Sequence, residues 1–235
     1  MHKLLISAIG LSLLSTAAHA QIGAGTIYLG GSVGYSHETT ESTFPGAGSS
    51  QYETGKMSSF TIRPTVGYFV AENLLLGLSL GYGRNKATSP IYSLPTSGTG
   101  TPRKVDEREN TQQSFAIGPV ARYYKFVGEH AAFFGHLAGG YQSLKYSYSD
   151  PTTIPNDAEQ KGHGFFGQLS PGFAYFPSNK IGLEVSLQGL TYSRNTLETP
   201  GRGSMPDVES SQSRFEVGLG LASLNLGAAF YLGRD

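Results

Sequence analysis

Hydrophobic positions alternate with small or polar ones along most of this chain from Thr26 onward. In Thr26–His37, Ile27, Leu29, Val33 and Tyr35 fall on one face, and Tyr28, Gly30, Ser32, Gly34 and Ser36 on the other. A period of two is the mark of a β-strand, whose successive side chains point to opposite sides. The pattern returns in Met57–Val70, Leu74–Asn85, Ser114–Phe126, Ala132–Tyr148, Gly164–Phe176, Ile181–Tyr192 and Ser213–Leu232, which predicts eight strands. Three connections are short: Ala71–Asn73, Val127–Ala131 and Pro177–Lys180. Four are long, rich in Ser, Thr, Gly and Pro, and without apolar periodicity: Glu38–Lys56, Lys86–Gln113, Ser149–His163 and Arg194–Gln212.

The two faces differ in a telling way. One is apolar, with aromatics near the strand ends; the other carries small residues, amides and the few strand charges. A soluble sandwich would bury its bulky apolar residues and turn its charges outward. Almost no charge lies on the apolar face here, so that face suits lipid and the other a narrow, polar, small-residue lumen. Short turns alternating with long loops then predict an all-β, eight-stranded antiparallel up-and-down transmembrane barrel, with short periplasmic turns and long outer loops. The last strand slips phase: Phe215, Val217, Leu219 and Leu221 are followed out of step by Leu224, Leu226, Ala228 and Phe230. A bulge at Ala222-Ser223 would return the apolar face to lipid. The alternative, a transmembrane helix over Val217–Gly233, is opposed by Gly218, Gly220, Asn225 and Gly227.

Composition narrows the function. Formal net charge is zero and only 14% of residues are charged, whereas nucleic-acid binders carry a basic excess. Cysteine is absent, which leaves neither a disulfide framework nor a thiolate metal site. Gly is abundant at 32 residues, with 14 Tyr, 13 Phe and no Trp, a strand-and-turn composition. Met1–Ala20 has a basic start, an apolar run Leu4–Leu14 and Ala18-His19-Ala20, the layout of a cleaved signal peptide. Residues 21–235 are then expected to form one barrel domain in the bacterial outer membrane.

Chemistry is sparse. His37, His130, His136 and His163 show no metal-ligand spacing. Ser36, His37 and Glu38 lie together at the outer rim, where a nucleophile–base arrangement is conceivable, but neighbours on a strand point to opposite faces. Gly162–Gly167 matches G-x-G-x-x-G, yet it follows a loop and opens a strand, where dinucleotide binding needs a strand before and a helix after. No catalytic, cofactor or metal residue is therefore assigned. The charged run Arg103–Glu109 reads as a solvated loop, or alternatively as a contact for lipopolysaccharide phosphates. Arg63, Arg122 and Glu184 all face inward by parity, and are expected to form a lumen charge network because an unpaired charge in a narrow lumen is costly. An eight-stranded barrel is just wide enough for side chains to fill it, so a plugged interior is expected, with a gated ion path as the rival.

Arg63-Pro64, Val66–Val70, the Asn73 turn, Gly77-Leu78, Gly118-Pro119, Arg122-Tyr123-Tyr124, Ser170–Phe176 and Ile181–Glu184 resemble landmarks of small porin-like outer-membrane barrels of the Bacteroidota. In fold the chain is similar to the OmpA transmembrane domain and OmpX. The resemblance implies a monomer in contact with outer-membrane lipid and lipopolysaccharide, inserted by the barrel assembly machinery, with long loops open to a surface ligand. No peptidoglycan-binding segment is expected after the barrel, and the terminal aromatic common in such barrels is expected to be displaced inward to Phe230-Tyr231. The expected role is structural or interactive rather than enzymatic; a small channel stands second and a lipid A-modifying enzyme third.

Overall fold

The structure, a computed structural model, describes residues 21–43, 51–93, 102–152, 158–201, 206–220 and 224–234. The proposed signal peptide, residues 1–20, lies outside them, as does the proposed bulge at Ala222-Ser223. The described chain is all β: β1 Ile27–Thr43, β2 Gln51–Ala71, β3 Leu74–Ser93, β4 Arg103–Phe126, β5 Ala131–Ser149, β6 Ala158–Ser178, β7 Ile181–Leu187, β8 Gly189–Thr199, β9 Val208–Gly218 and β10 Leu224–Leu232. Every pairing is antiparallel. The ring closes where β10 pairs with β1 on one side and β7 on the other.

Ten segments make eight passes, because two passes are each broken once. β7 and β8 are one pass interrupted at Gln188, where Gly189 adopts a positive φ of 73°. The expectation of a single uninterrupted strand Ile181–Tyr192 needs this correction. The break flips parity, so Leu183 faces out before it and Leu190 and Tyr192 after it. The carbonyl of Gln188, freed from the ladder, accepts hydrogen bonds from Ser170 Oγ at 2.8 Å and Gln168 Nε2 at 3.2 Å. β9 and β10 are likewise one pass, and Phe215, Val217 and Leu219 face out before the break and Leu224, Leu226 and Phe230 after it. The phase slip is thus present, and the helix alternative is excluded by the strand pairing of Leu224–Phe230 with β7.

The long loops differ most from expectation. Glu38–Thr43, Gln51–Lys56, Lys86–Ser93, Arg103–Gln113 and Arg194–Thr199 are strand, continuing the membrane ladders outward as paired ribbons. Beyond the membrane both faces of such a ribbon meet water, so no apolar alternation marks it. Lys86–Glu109 (2.7 Å), Arg108–Asp150 (2.8 Å) and Lys145–Glu159 (3.0 Å) instead tie neighbouring strands together.

Exposed aromatics fix the membrane position. Phe60 and Tyr68 on β2, Phe115 and Tyr123 on β4, Phe133 and Tyr141 on β5, and Phe165 and Phe173 on β6 form pairs eight residues apart. Between them lie Ile62, Val66, Ile117, Leu137 and Leu169, also exposed. Eight residues at ~3.4 Å each, tilted by ~40°, span about 20 Å, matching an apolar band between two aromatic girdles.

The core sits inside, at the periplasmic end. Tyr28, Phe69, Leu75, Tyr124, Phe134, Phe176 and Tyr231 are buried there, closed from beneath by Ile22. Ile22 is held by reciprocal bonds with Asn73, whose backbone amide donates to the Ile22 carbonyl and whose side-chain oxygen accepts from the Ile22 amide, both at 3.0 Å. Asn73 itself takes a φ of 60° in the β2–β3 turn, a conformation Asn tolerates. At the other terminus the Arg234 guanidinium covers the ring of Phe176 at 4.3 Å. The expectation of a small, polar lumen therefore holds only for the outer half. Its lower half is packed with aromatic rings, each worth roughly 1.5–3 kcal/mol when removed from water.

Candidate functional site

Two zones of the lumen carry its chemistry: a charged floor and a cavity above it. In the floor, Arg122 on β4 meets Glu184 on β7 from the opposite wall, Nη1 to Oε2 at 2.7 Å. Both are buried. Tyr28, Tyr124 and Tyr231 surround the carboxylate, their hydroxyls reaching its oxygens at 3.1, 3.3 and 3.0 Å. Arg122 Nη1 also donates to Tyr28 and Tyr124 at 3.0 and 2.9 Å, and its Nε donates to His136 Nδ1 at 3.3 Å. The guanidinium lies over the Phe134 ring at 4.4 Å. Two glycines make the room: a Cβ on Gly172 would run into that ring, and one on Gly30 into Tyr28.

A buried charge is tolerable only when its remaining donors and acceptors are also met, and this pair is met on both sides by phenol hydroxyls and imidazole. The strand parity that placed Arg122 and Glu184 inward also placed Tyr28, Tyr124, His136 and Tyr231 there. The three tyrosines were not singled out with the charges. The legible signal was their inward parity, with Tyr28, Tyr124 and Tyr231 close to the periplasmic ends of their strands.

Arg63 stands apart. It lines the cavity but joins neither Arg122 nor Glu184 in the floor, and among the described residues its guanidinium has no hydrogen bond or ion pair. The cavity measures about 350 Å³ and is walled mostly by Ser, Thr and Gln side chains and glycine backbone, with Arg122, Glu184 and Phe134 at its base. Glu216, near its outer end, is bonded to Arg214 at 3.4 Å.

The remaining candidates stay separate. His37 Nε2 lies 3.5 Å from Thr39 Oγ1, and no hydrogen bond joins its ring to Ser36. His163 Nδ1 faces Glu198 at 3.5 Å on the outer ribbon. Gly162–Gly167 lies within β6, paired on both sides, with no helix following it. Among the described residues no group of three or more His, Cys, Asp or Glu could hold a metal ion. In the run Arg103–Glu109, Lys104 bonds Glu107 at 2.7 Å, Arg108 bonds Asp150 and Glu109 bonds Lys86. The hydrogen bonds from Lys104 and Lys86 hold the Glu107 and Glu109 carboxyls below their ordinary value.

The sequence pattern of the outer membrane protein beta-barrel domain family matches residues 6–222. The chain belongs to this family. Outer-membrane residence follows from that membership. Among solved structures the barrel is similar to Neisserial surface protein A (13% identity, TM-score 0.37, covering 88% of this chain and 98% of that one). It is also similar to the outer membrane protein OprG from Pseudomonas aeruginosa (10% identity, TM-score 0.41, 89% and 97%). A third is the translocator domain of the autotransporter NalP from Neisseria meningitidis (13% identity, TM-score 0.40, 98% and 93%). No curated protein matches the sequence.

Proposed function

We propose that this outer-membrane barrel has a closed periplasmic floor, neither conducts ions nor catalyses a reaction, and works through its outward-facing side as a structural or surface-interaction protein. The observation that carries the reading is the Arg122–Glu184 pair at 2.7 Å, held in a layer of buried aromatic rings. An ion crossing that layer would have to part a desolvated pair and replace its phenol contacts, a barrier rather than a path. The outer ribbons, with their cross-strand ion pairs, offer a stiff surface to lipopolysaccharide or to a partner. We assign the motifs from Arg63-Pro64 to Ile181–Glu184, including the likeness to Bacteroidota porin-like barrels, to this monomeric, non-enzymatic role. The small-channel reading keeps one observation in its favour, the polar cavity above the floor.

Planar-bilayer recording separates the two. The wild-type barrel is expected to be silent, and the Arg122→Gln, Glu184→Gln double variant to remain silent or leak slightly while the aromatic layer persists. Stepwise, ion-selective openings of the wild type would replace the closed-floor reading with the channel.

A further inference from the structure

Among the described residues the barrel wall is incomplete on one side. β10 pairs with β1 only from Ile27↔Leu232 to Ser32↔Gly227. Among the described residues, β1 above Ser32 is paired by β2 alone, and β9 is paired by β8 alone. Leu187 pairs with Leu224 on β10 and Gly189 with Gly218 on β9. Among the described residues β9 does not continue the line of β10 beside β1, and a slit opens from Ser32 and Gly227 outward.

Within the apolar band this slit is bordered by Val33 and Tyr35 on one side and Leu224 and Leu226 on the other. Val33, Tyr35 and Leu226 are 62%, 72% and 68% exposed, against 37–57% for most of the lipid-facing wall. The lumen cavity reaches the slit, since Ser32, Leu226 and Gly227 line it at the slit's foot. Arg63 is the ladder partner of Ser32. The cavity's unpaired cation therefore stands one strand away from the place where the wall opens to lipid.

We infer that this slit and cavity bind a single-chain anionic amphiphile of the fatty-acid class from the membrane, its carboxylate on Arg63 and its acyl chain leaving between β1 and β10. Charge chooses the head: a guanidinium without a counter-ion recognises a carboxylate by paired hydrogen bonds. The apolar rim chooses a hydrocarbon tail. A cavity of about 350 Å³ is at the small end of ligand sites, roughly 300–1,000 Å³, which favours one chain over two. The site does not depend on the floor being closed, so conductance and ligand binding can fail independently.

The probe is dodecanoate carrying a terminal diazirine, added to the folded barrel in zwitterionic bicelles and crosslinked by light. Saturable labelling on the peptides holding Val33–Tyr35 and Leu224–Leu226 is expected. Arg63→Gln should weaken binding about tenfold or more, the loss of one charge-assisted contact. Arg63→Lys, which keeps the charge but not the paired hydrogen bonds, should bind between wild type and Arg63→Gln, and dodecanol of equal chain length should bind equally weakly to all three proteins. Heat-modifiable migration in SDS checks that each variant is folded; if Arg63→Gln is not, the comparison of dodecanoate with dodecanol on wild type and Arg63→Lys decides. Label spread evenly over the lipid face, or dodecanol binding as well as dodecanoate, overturns the site.

Discussion

Glu184 and Arg122 show how a membrane barrel can afford charges in its interior. Each is bonded to the other and to the surrounding phenols, so neither is left without a partner in a desolvated layer. Glu184→Gln keeps the shape but strands the guanidinium, and breaking a buried pair from one side costs about 3–5 kcal/mol. Adding Arg122→Gln should recover part of that loss, and a double-mutant cycle from denaturant titration in bilayers measures the coupling. Zero coupling would remove the pair as a stabilising element of the floor. Strand parity makes a second residue-level contrast. Leu78 faces lipid and Ser79 the lumen, so Leu78→Arg should cost roughly 2–4 kcal/mol near mid-bilayer. Ser79→Arg, beside a cavity with room for polar atoms, should cost less in the same titration. Equal costs would mean that the two faces are misassigned.

At the scale of strands and turns, alternation was legible wherever one face met lipid. Leu76, Leu78, Leu80 and Tyr82 announce β3 because only hydrocarbon accepts such a row. The outer ribbons gave no such sign, since both faces of each ribbon meet water and both carry Ser, Thr and charged residues, as Glu38, Thr40 and Ser42 on one face of β1 and Thr39, Glu41 and Thr43 on the other show. The break at Gln188 was foreshadowed only by Gly189, one glycine among 32. Arg122 and Glu184 were readable because charge in a lumen needs a partner, whereas the slit depends on register between distant strands and left no local mark. The ribbons also make a testable element. The Glu107 and Glu109 carboxyls are depressed in the folded state by bonds from Lys104 and Lys86. Their stabilisation is complete above the ordinary carboxylate value of about 4.3 and is lost as pH falls through the lower folded value. Amide exchange measured as pH is lowered should, after correction for intrinsic rates, lose protection in Lys86–Ser93 and Arg103–Glu109 before the membrane part of β3 and β4. Uniform loss along both strands would show that these pairs do not hold the ribbon.

For the molecule as a whole, closure among the described residues is carried by six ladder positions between β1 and β10, while the wall above them stands open. Proline reads that difference, because it removes a backbone donor and is tolerated in a sheet only where that donor pairs with nothing. Ala228 and Ala229 are paired on both sides, to Gly31 and Gly30 on β1 and to Leu183 and Gly182 on β7. Proline at either should open the ring, and the unboiled protein should then migrate in SDS like the boiled one. Glu216 and Val217 are paired on one side only, to Thr191 and Leu190 on β8. Successive amides along a strand point in opposite directions, so one of these two donates away from β8, toward the slit. Proline at that one position should leave the heat-modifiable barrel intact, and proline at its neighbour should not. If both positions fail as Ala228 and Ala229 do, β9 is paired to β1 in the bilayer and the wall is closed along its full height.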